Sequence, residues 1–290
     1  MAVASCHKRR RRSKTGRRAR VETRNAHRIR TRDGFPLTIQ VSGPDDAPAL
    51  LLLQGQANSH EWWDGLREDF EPALRTITFD YRGTGGSRGG LDELSTASFA
   101  ADAAEVLDRL GVDRAAVYGT SMGGRVAQML ALDFPERVSA LVLGCTSPGG
   151  KHAIRRPREV GQSLARLRGA EHIRYLFDLF YTPNWTVSPT HSKLLGDGTM
   201  TAAESAAHLR ISANHDAWDR LPEIQAPTLI VHGDEDRMNP VGNARILHER
   251  IAGSRMLILP EGRHGFFEEF AEVVTPAIVR FLSSAMPSPA

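Results

Sequence analysis

The 290-residue chain has only two cysteines, Cys6 and Cys145. One lies in a basic N-terminal stretch and the other at the end of an apolar run, an unsuitable disulfide pair that fits a reducing compartment. Long apolar runs are missing as well. No stretch approaches the roughly 20 residues that span a bilayer, and the start lacks the apolar segment of a secretory signal. The expectation is a soluble, cytoplasmic protein without membrane insertion. No Cys or His cluster has metal-ligand spacing, and neither a P-loop nor a dinucleotide fingerprint occurs, so no metal and no cofactor are expected. Acidic residues are scarce in one region only. Residues 1–32 hold 13 of the 37 Lys and Arg but a single acid, Glu22, of 34, which leaves 24 basic against 33 acidic residues, or −9, in the rest. A chain of net charge +3 is therefore an acidic body with a basic tail. The tail, residues 1–26, suits a polyanion and is Arg-rich and acid-poor like a transit peptide, but the favoured reading is the plainer one, a solvated, disordered extension. Nucleic acid is not expected as a partner, save through this tail.

From His27 onward, short apolar runs alternate with longer amphipathic segments, the pattern of a mostly parallel sheet covered by helices on both faces. Ile29–Thr31 and Leu37–Val41 flank the turn Asp33-Gly34 and read as an antiparallel hairpin at a sheet edge. Six parallel strands are expected at Ala49–Leu53, Thr76–Phe79, Ala115–Tyr118, Ala140–Leu143, Thr228–Val231 and Met256–Leu259, making eight in all. Helical periodicity covers Ala100–Leu110, Met122–Phe134, Val241–Ile251 and Glu268–Leu282, with Pro276 expected to kink or interrupt the last. Between residues 148 and 221 the strand pattern vanishes. Three helical stretches there, Glu159–Arg168, Ala170–Phe180 and Ala202–Ile211, read as an inserted helical cap, too long together for a loop. The expected organisation is a tail (1–26), a core in two parts (27–147 and 222–283), the cap (148–221) and a C-terminal tail (284–290).

Gly119-Thr120-Ser121-Met122-Gly123 follows one apolar run and precedes a helical stretch. An isolated G-x-S-x-G pentapeptide is a common chance match; its strand-turn-helix setting gives it weight, because small neighbours let strand and helix approach and leave the serine hydroxyl exposed. A serine nucleophile needs a base and a group to orient that base. After the Thr228–Val231 strand come Asp234, Glu235 and Asp236, and after the Met256–Leu259 strand comes Gly262-Arg263-His264. His232 also lies at a strand end and reads as structural. The Gly-rich, Arg-containing stretch Asp80–Ser87 lacks phosphate-loop chemistry and reads as structural too.

With these motifs in order, residues 27–283 resemble the α/β-hydrolase superfamily. Gly119–Gly124, Asp80–Ser87, the acid turn Gly233-x-x-Asp236 and the turn Gly262-x-His264 carry the resemblance. It implies Ser121 as nucleophile, His264 as general base and then acid, and Asp236 as the orienting acid. It also implies an oxyanion hole from two backbone N–H groups, assigned to Met122 and Gln56. Here the family commonly has His-Gly before the second donor, whereas this chain has Gln54-Gly55-Gln56. The elbow and short cap look most similar to small carboxylic ester hydrolases and 3-oxoadipate-type enol-lactonases, which implies a small-molecule ester or lactone as substrate. Carbon-carbon bond hydrolases of aromatic breakdown are the nearest enzymatic alternative, although Gly265 stands where they usually carry an aromatic. A ligand-binding receptor on the same scaffold is the alternative outside enzymology. Trp62, Trp185, Trp218 and Phe266 are candidate substrate contacts, set against the plainer reading that such aromatics are core.

Overall fold

A computed structural model describes residues 26–286. The readings of the basic tail and Cys6 lie outside the described residues, as do the last four positions. Eight strands form one sheet: β1 (His27–Arg30), β2 (Pro36–Ser42), β3 (Ala49–Leu53), β4 (Arg75–Phe79), β5 (Ala115–Thr120), β6 (Val138–Gly144), β7 (Thr228–Gly233) and β8 (Arg255–Leu259). Their order is β1-β2-β4-β3-β5-β6-β7-β8. β1 and β2 are the antiparallel edge, β2 is antiparallel to β4, and all further pairings are parallel. Every expected strand is present.

The apolar runs are continuous rather than alternating because both sheet faces are buried. In β3, Leu51 and Leu53 join one cluster with Phe99, Val126 and Leu247, while Leu50 and Leu52 join another with Trp63, Ile278 and Leu282. Successive side chains of a strand point to opposite faces, so each leucine has a helix to meet. The first face is covered by α1 (Thr96–Arg109), α2 (Met122–Asp133) and, later in the chain, Gly242–Arg250.

Between β6 and β7 the chain forms α3 (Arg158–Arg166), α4 (Gly169–Phe180) and α5 (Ala202–Ala213), then returns to the core with α6 (Gly242–Arg250), α7 (Phe266–Glu269) and α8 (Ala271–Ala285). The expected interruption at Pro276 does not occur. Pro276 sits inside α8, and the break falls at Phe270, whose φ of −107° and ψ of 28° leave the helix. Proline removes one bond to the carbonyl four residues back. Pro276 and Glu272 are both exposed, so that carbonyl is open to water.

The strand order reverses between β3 and β5. The chain runs from β3 outward to β4, then crosses back over β3 to β5 and continues the other way. The loops leaving the carboxyl ends of β3 and β5 therefore part in opposite directions, opening the crevice where parallel α/β sheets place their ligands. Gln54-Gly55-Gln56 and Ser121 both lie at that point.

Candidate active site

Ser121 joins β5 to α2 with φ 55° and ψ −119°, a region disfavoured for any residue with a Cβ. Close packing enforces the turn. A Cβ on Gly119 would stand 2.2 Å from the Gly123 carbonyl oxygen, and one on Gly123 would stand 2.1 Å from the Leu53 carbonyl oxygen. Any larger residue at either position would push α2 away from the sheet. The Ser121 N–H donates to the Gly144 carbonyl at 2.9 Å, and Thr146 Oγ1 donates to the Ser121 carbonyl at 2.7 Å, pinning the strained residue to β6 and the loop beyond it. Ala57, Cys145 and Glu261 also have positive φ, so four of the five such non-glycine residues described fall in the loops around this crevice. Strained backbone of this kind persists where surrounding structure holds it, commonly at functional sites.

The three residues of the expected triad are brought together. Ser121 Oγ lies 3.1 Å from His264 Nε2, and His264 Nδ1 donates to Asp236 Oδ2 at 2.8 Å. His264 and Asp236 are buried, whereas Ser121 keeps partial exposure. Asp236 Oδ1 accepts the N–H groups of Met238 and Asn239 at 2.8 and 2.9 Å. Burial pushes this carboxyl up, but the charge of His264 and hydrogen bonds from His232 and His264 outweigh it and hold Asp236 well below the usual carboxylate range. Asp234 and Glu235 are exposed. The acid and histidine turns meet because both are glycine-lined: a Cβ on Gly233 would stand 2.1 Å from the Gly262 carbonyl oxygen.

Sequence reasoning left out several residues that shape this site. His232 Nε2 donates to the Asn239 carbonyl at 2.7 Å and lies 3.3 Å from Asp236 Oδ2, a second imidazole on the acid. Its place at the end of the same strand was the available signal. Asn239 Nδ2 donates to the Cys145 carbonyl at 2.7 Å, tying the acid turn to the end of β6.

Met122 is buried at the first position of α2, where N–H groups have no partner within the helix. Gln56 lies on the β3 loop, which Gly123 approaches so closely. The side chain of Gln54 is fully buried and donates to the Phe79 carbonyl at 2.8 Å, so it braces the loop against β4. Asp80–Ser87 folds on itself: Asp80 accepts from the Gly86 N–H and the His60 N–H, each at 2.7 Å.

The four aromatic candidates separate. Trp62 is buried under the nucleophile turn, stacked on Phe267, and its Nε1 donates to Thr120 Oγ1 at 3.0 Å. Phe266 is fully buried against Phe267. Trp185 is half-buried and stacks on Tyr181. Trp218 is not brought to the triad: it packs between His152 and Arg250, at the end of α6 remote from the acid turn. An open depression of about 610 Å³ lies between α4 and the acid turn, lined by Tyr175, Asp178, Glu235 and Arg263 among others. Its walls include none of the triad, so it is separate from the serine. Among the described residues, no group of three or more His, Cys, Asp or Glu is placed to hold a metal, and no helix is long and apolar enough to cross a membrane.

A mostly parallel sheet presenting a serine on a strained strand-to-helix turn, with histidine and aspartate in series behind it, defines a hydrolase class. Residues 48–161 match the α/β-hydrolase fold family. A RutD protein of Variovorax paradoxus (strain S110), provisionally named a carbamate hydrolase, is 30% identical over 86% of this chain and 97% of its own length. The 3-oxoadipate enol-lactonase 1 of Acinetobacter baylyi is 26% identical over 77% of this chain and 84% of its own. The solved structure of a hydrolase from Pseudomonas aeruginosa PA01 superposes with a TM-score of 0.77 at 25% identity, covering 89% of this chain and 98% of that one. The chain belongs to the α/β-hydrolase family.

Proposed function

We propose that the protein is a serine hydrolase that cleaves a small-molecule carboxylic ester or lactone through an acyl-enzyme. The observation that carries this reading is the unbroken series Ser121 Oγ, His264 Nε2, His264 Nδ1, Asp236 Oδ2, with links of 3.1 and 2.8 Å. Ser121 attacks the carbonyl carbon while His264 Nε2 takes its proton, and Asp236 keeps Nδ1–H pointed away from the serine so that Nε2 is free to accept. The Met122 and Gln56 N–H groups receive the developing oxyanion, each contributing about 3 kcal/mol by comparison with similar donors. His264 then gives its proton to the leaving alkoxide. Water repeats the sequence on the acyl-enzyme and returns Ser121 to its starting state. The 148–221 insertion acts as a cap over the strand ends. The similarity to an enol-lactonase supports this substrate class without fixing its member.

The test is hydrolysis of a matched set of short and long acyl esters, aromatic esters and lactones, with Ser121→Ala run beside the wild type. We expect turnover that falls at least about 10³-fold in Ser121→Ala and His264→Ala, both still folded by circular dichroism. Undiminished turnover in Ser121→Ala would overturn the acyl-enzyme; silence of folded wild type across the set would favour carbon-carbon cleavage or a binding role.

A further inference from the structure

The arginines around the acid turn do not all have acids. Arg237 pairs with Glu159 at 3.6 Å and Arg263 with Glu235 at 3.7 Å. Arg125 and Arg156 have no carboxylate partner among the described residues. Arg125, one turn after Ser121 on α2, gives Nη1 to the Ser212 carbonyl and Oγ at 2.5 and 2.8 Å, and Nη2 to Ser147 Oγ and Asn239 Oδ1 at 3.0 and 3.4 Å. All four acceptors are neutral, and its Nε–H is buried without a partner. Arg156, at the start of the inserted segment, has Met238 Sδ, at 3.9 Å, as its one hydrogen-bond partner among the described residues.

Both guanidiniums thus reach the turn Asp236–Asn239, Arg125 at Asn239 and Arg156 at Met238. Each is held below its ordinary pKa first by desolvation, and Arg125, pushed down to about 10, is also lowered by the charge of Arg156. The negative charge in reach, Asp236, is already engaged by His264 and His232. Asp236 offsets part of this on Arg156, but one carboxylate shared with two imidazoles leaves the two guanidiniums repelling each other, and an anion entering beside Arg156 relieves that repulsion. Arg156 is the accessible member, exposed to solvent. A planar fork of donors matches a carboxylate in two parallel hydrogen bonds.

We propose that Arg156, backed by the charge of Arg125, is a binding subsite for a carboxylate on the substrate, so that the preferred ester or lactone carries a free acid group. This rests on the hydrolase reading above. Arg156 is a specificity-determining residue; Arg125 is a positioning residue that also ties α2 to α5 and the acid turn.

The comparison is 4-nitrophenyl hydrogen glutarate, which bears a free carboxylate, against 4-nitrophenyl pentanoate, which does not. At low salt we expect the wild type to favour the acid ester by at least about 10-fold in kcat/KM. Arg156→Met should raise KM for the acid ester about 10- to 100-fold, the loss of one charge-assisted pair, and leave the pentanoate within about twofold, a margin inside the scatter of exposed-site substitutions. Arg156→Lys should recover part of the loss. Equal treatment of the two esters by the wild type, or an equal loss on both in Arg156→Met, overturns the subsite. Glutarate binding separates this from failure of the hydrolase reading. In Ser121→Ala, 50 mM glutarate, against chloride of equal ionic strength as the control, should raise Tm, and adding Arg156→Met should abolish the rise. If neither ester is cleaved, an Arg156-dependent Tm rise still supports the subsite, and its absence overturns it.

Discussion

Asp236 keeps its charge in a fully buried place because donors converge on both oxygens: two backbone N–H groups on Oδ1, and the His264 ring with His232 beside it on Oδ2. Asp234, two residues earlier, is exposed and shares none of them. The difference predicts unequal effects of one conservative change. Asp236→Asn should lower kcat about 10²- to 10⁴-fold, because an amide donor facing Nδ1 favours the wrong histidine tautomer. Asp234→Asn should stay within about threefold, as for a surface residue away from the site. Steady-state kinetics on one ester checks both, and equal losses would reopen the choice of acid. At this scale the sequence was informative where a residue sits at a strand end with glycines beside it, as Ser121, Asp236 and His264 do. It was uninformative where a role depends on a distant partner. Nothing local to Trp62 announces a hydrogen bond to Thr120, 58 positions away. That Trp218 packs on His152 and Arg250 was illegible for the same reason: an aromatic in the inserted segment has no local mark of the face it meets.

The C-terminal end of α4 is joined to the loop that carries His264. The final carbonyls of a helix lack internal partners. Here the Leu179 carbonyl accepts the His264 N–H at 3.2 Å, Phe180 accepts the Gly265 N–H at 2.8 Å, and Asp178 and Tyr181 accept Arg263 Nη1 at 2.7 and 2.9 Å. Tyr181 and Thr182 beyond the helix donate to Glu268 and Glu269 on α7. The inserted segment therefore helps to orient the histidine. Arg263→Ala should lower stability by about 1 to 2 kcal/mol, discounted for partial exposure from the usual worth of a charge-assisted hydrogen bond. It should also lower kcat severalfold by loosening His264, with KM for a small ester little changed. Denaturant titration and kinetics on the same preparation measure the two effects, and a stability loss with unchanged kcat would remove Arg263 from the histidine's support. Elements of this size were largely legible. Strands buried on both faces read as unbroken apolar runs, and α1 followed its 3.6-residue period. Pro276 misled because the cost of a helical proline depends on whether the freed carbonyl meets water, which only the packing reveals.

Core and inserted segment meet at His215, so its titration reports on the molecule as a whole. Its Nδ1 lies 2.8 Å from Thr96 Oγ1 at the start of α1, and its Nε2 lies 3.4 Å from Gln128 Oε1 on α2. Its carbonyl accepts the Gly150 N–H at 2.9 Å from the loop after β6. Desolvation, with a smaller push from the charge of Arg125, lowers its pKa to about 3. His208 on α5, lowered by burial, behaves alike: it accepts the Ala57 N–H at 3.4 Å and donates to the Arg82 carbonyl at 2.9 Å. A histidine kept neutral in the fold is protonated first in the unfolded chain, near its ordinary value of 6.5. The stability it contributes is thus fully present above that pH and is lost as pH falls from 6.5 toward 3. One pKa unit corresponds to about 1.4 kcal/mol, so His215 alone should withdraw about 2 kcal/mol between pH 7 and pH 5. His215→Gln replaces the ring with an amide that does not titrate there. The variant should begin less stable at pH 7, yet its unfolding free energy should fall more shallowly down to pH 5 than that of the wild type. Urea titrations at half-unit intervals measure both slopes. Parallel slopes would mean that the junction admits water and that His215 titrates at its ordinary pH in the folded protein.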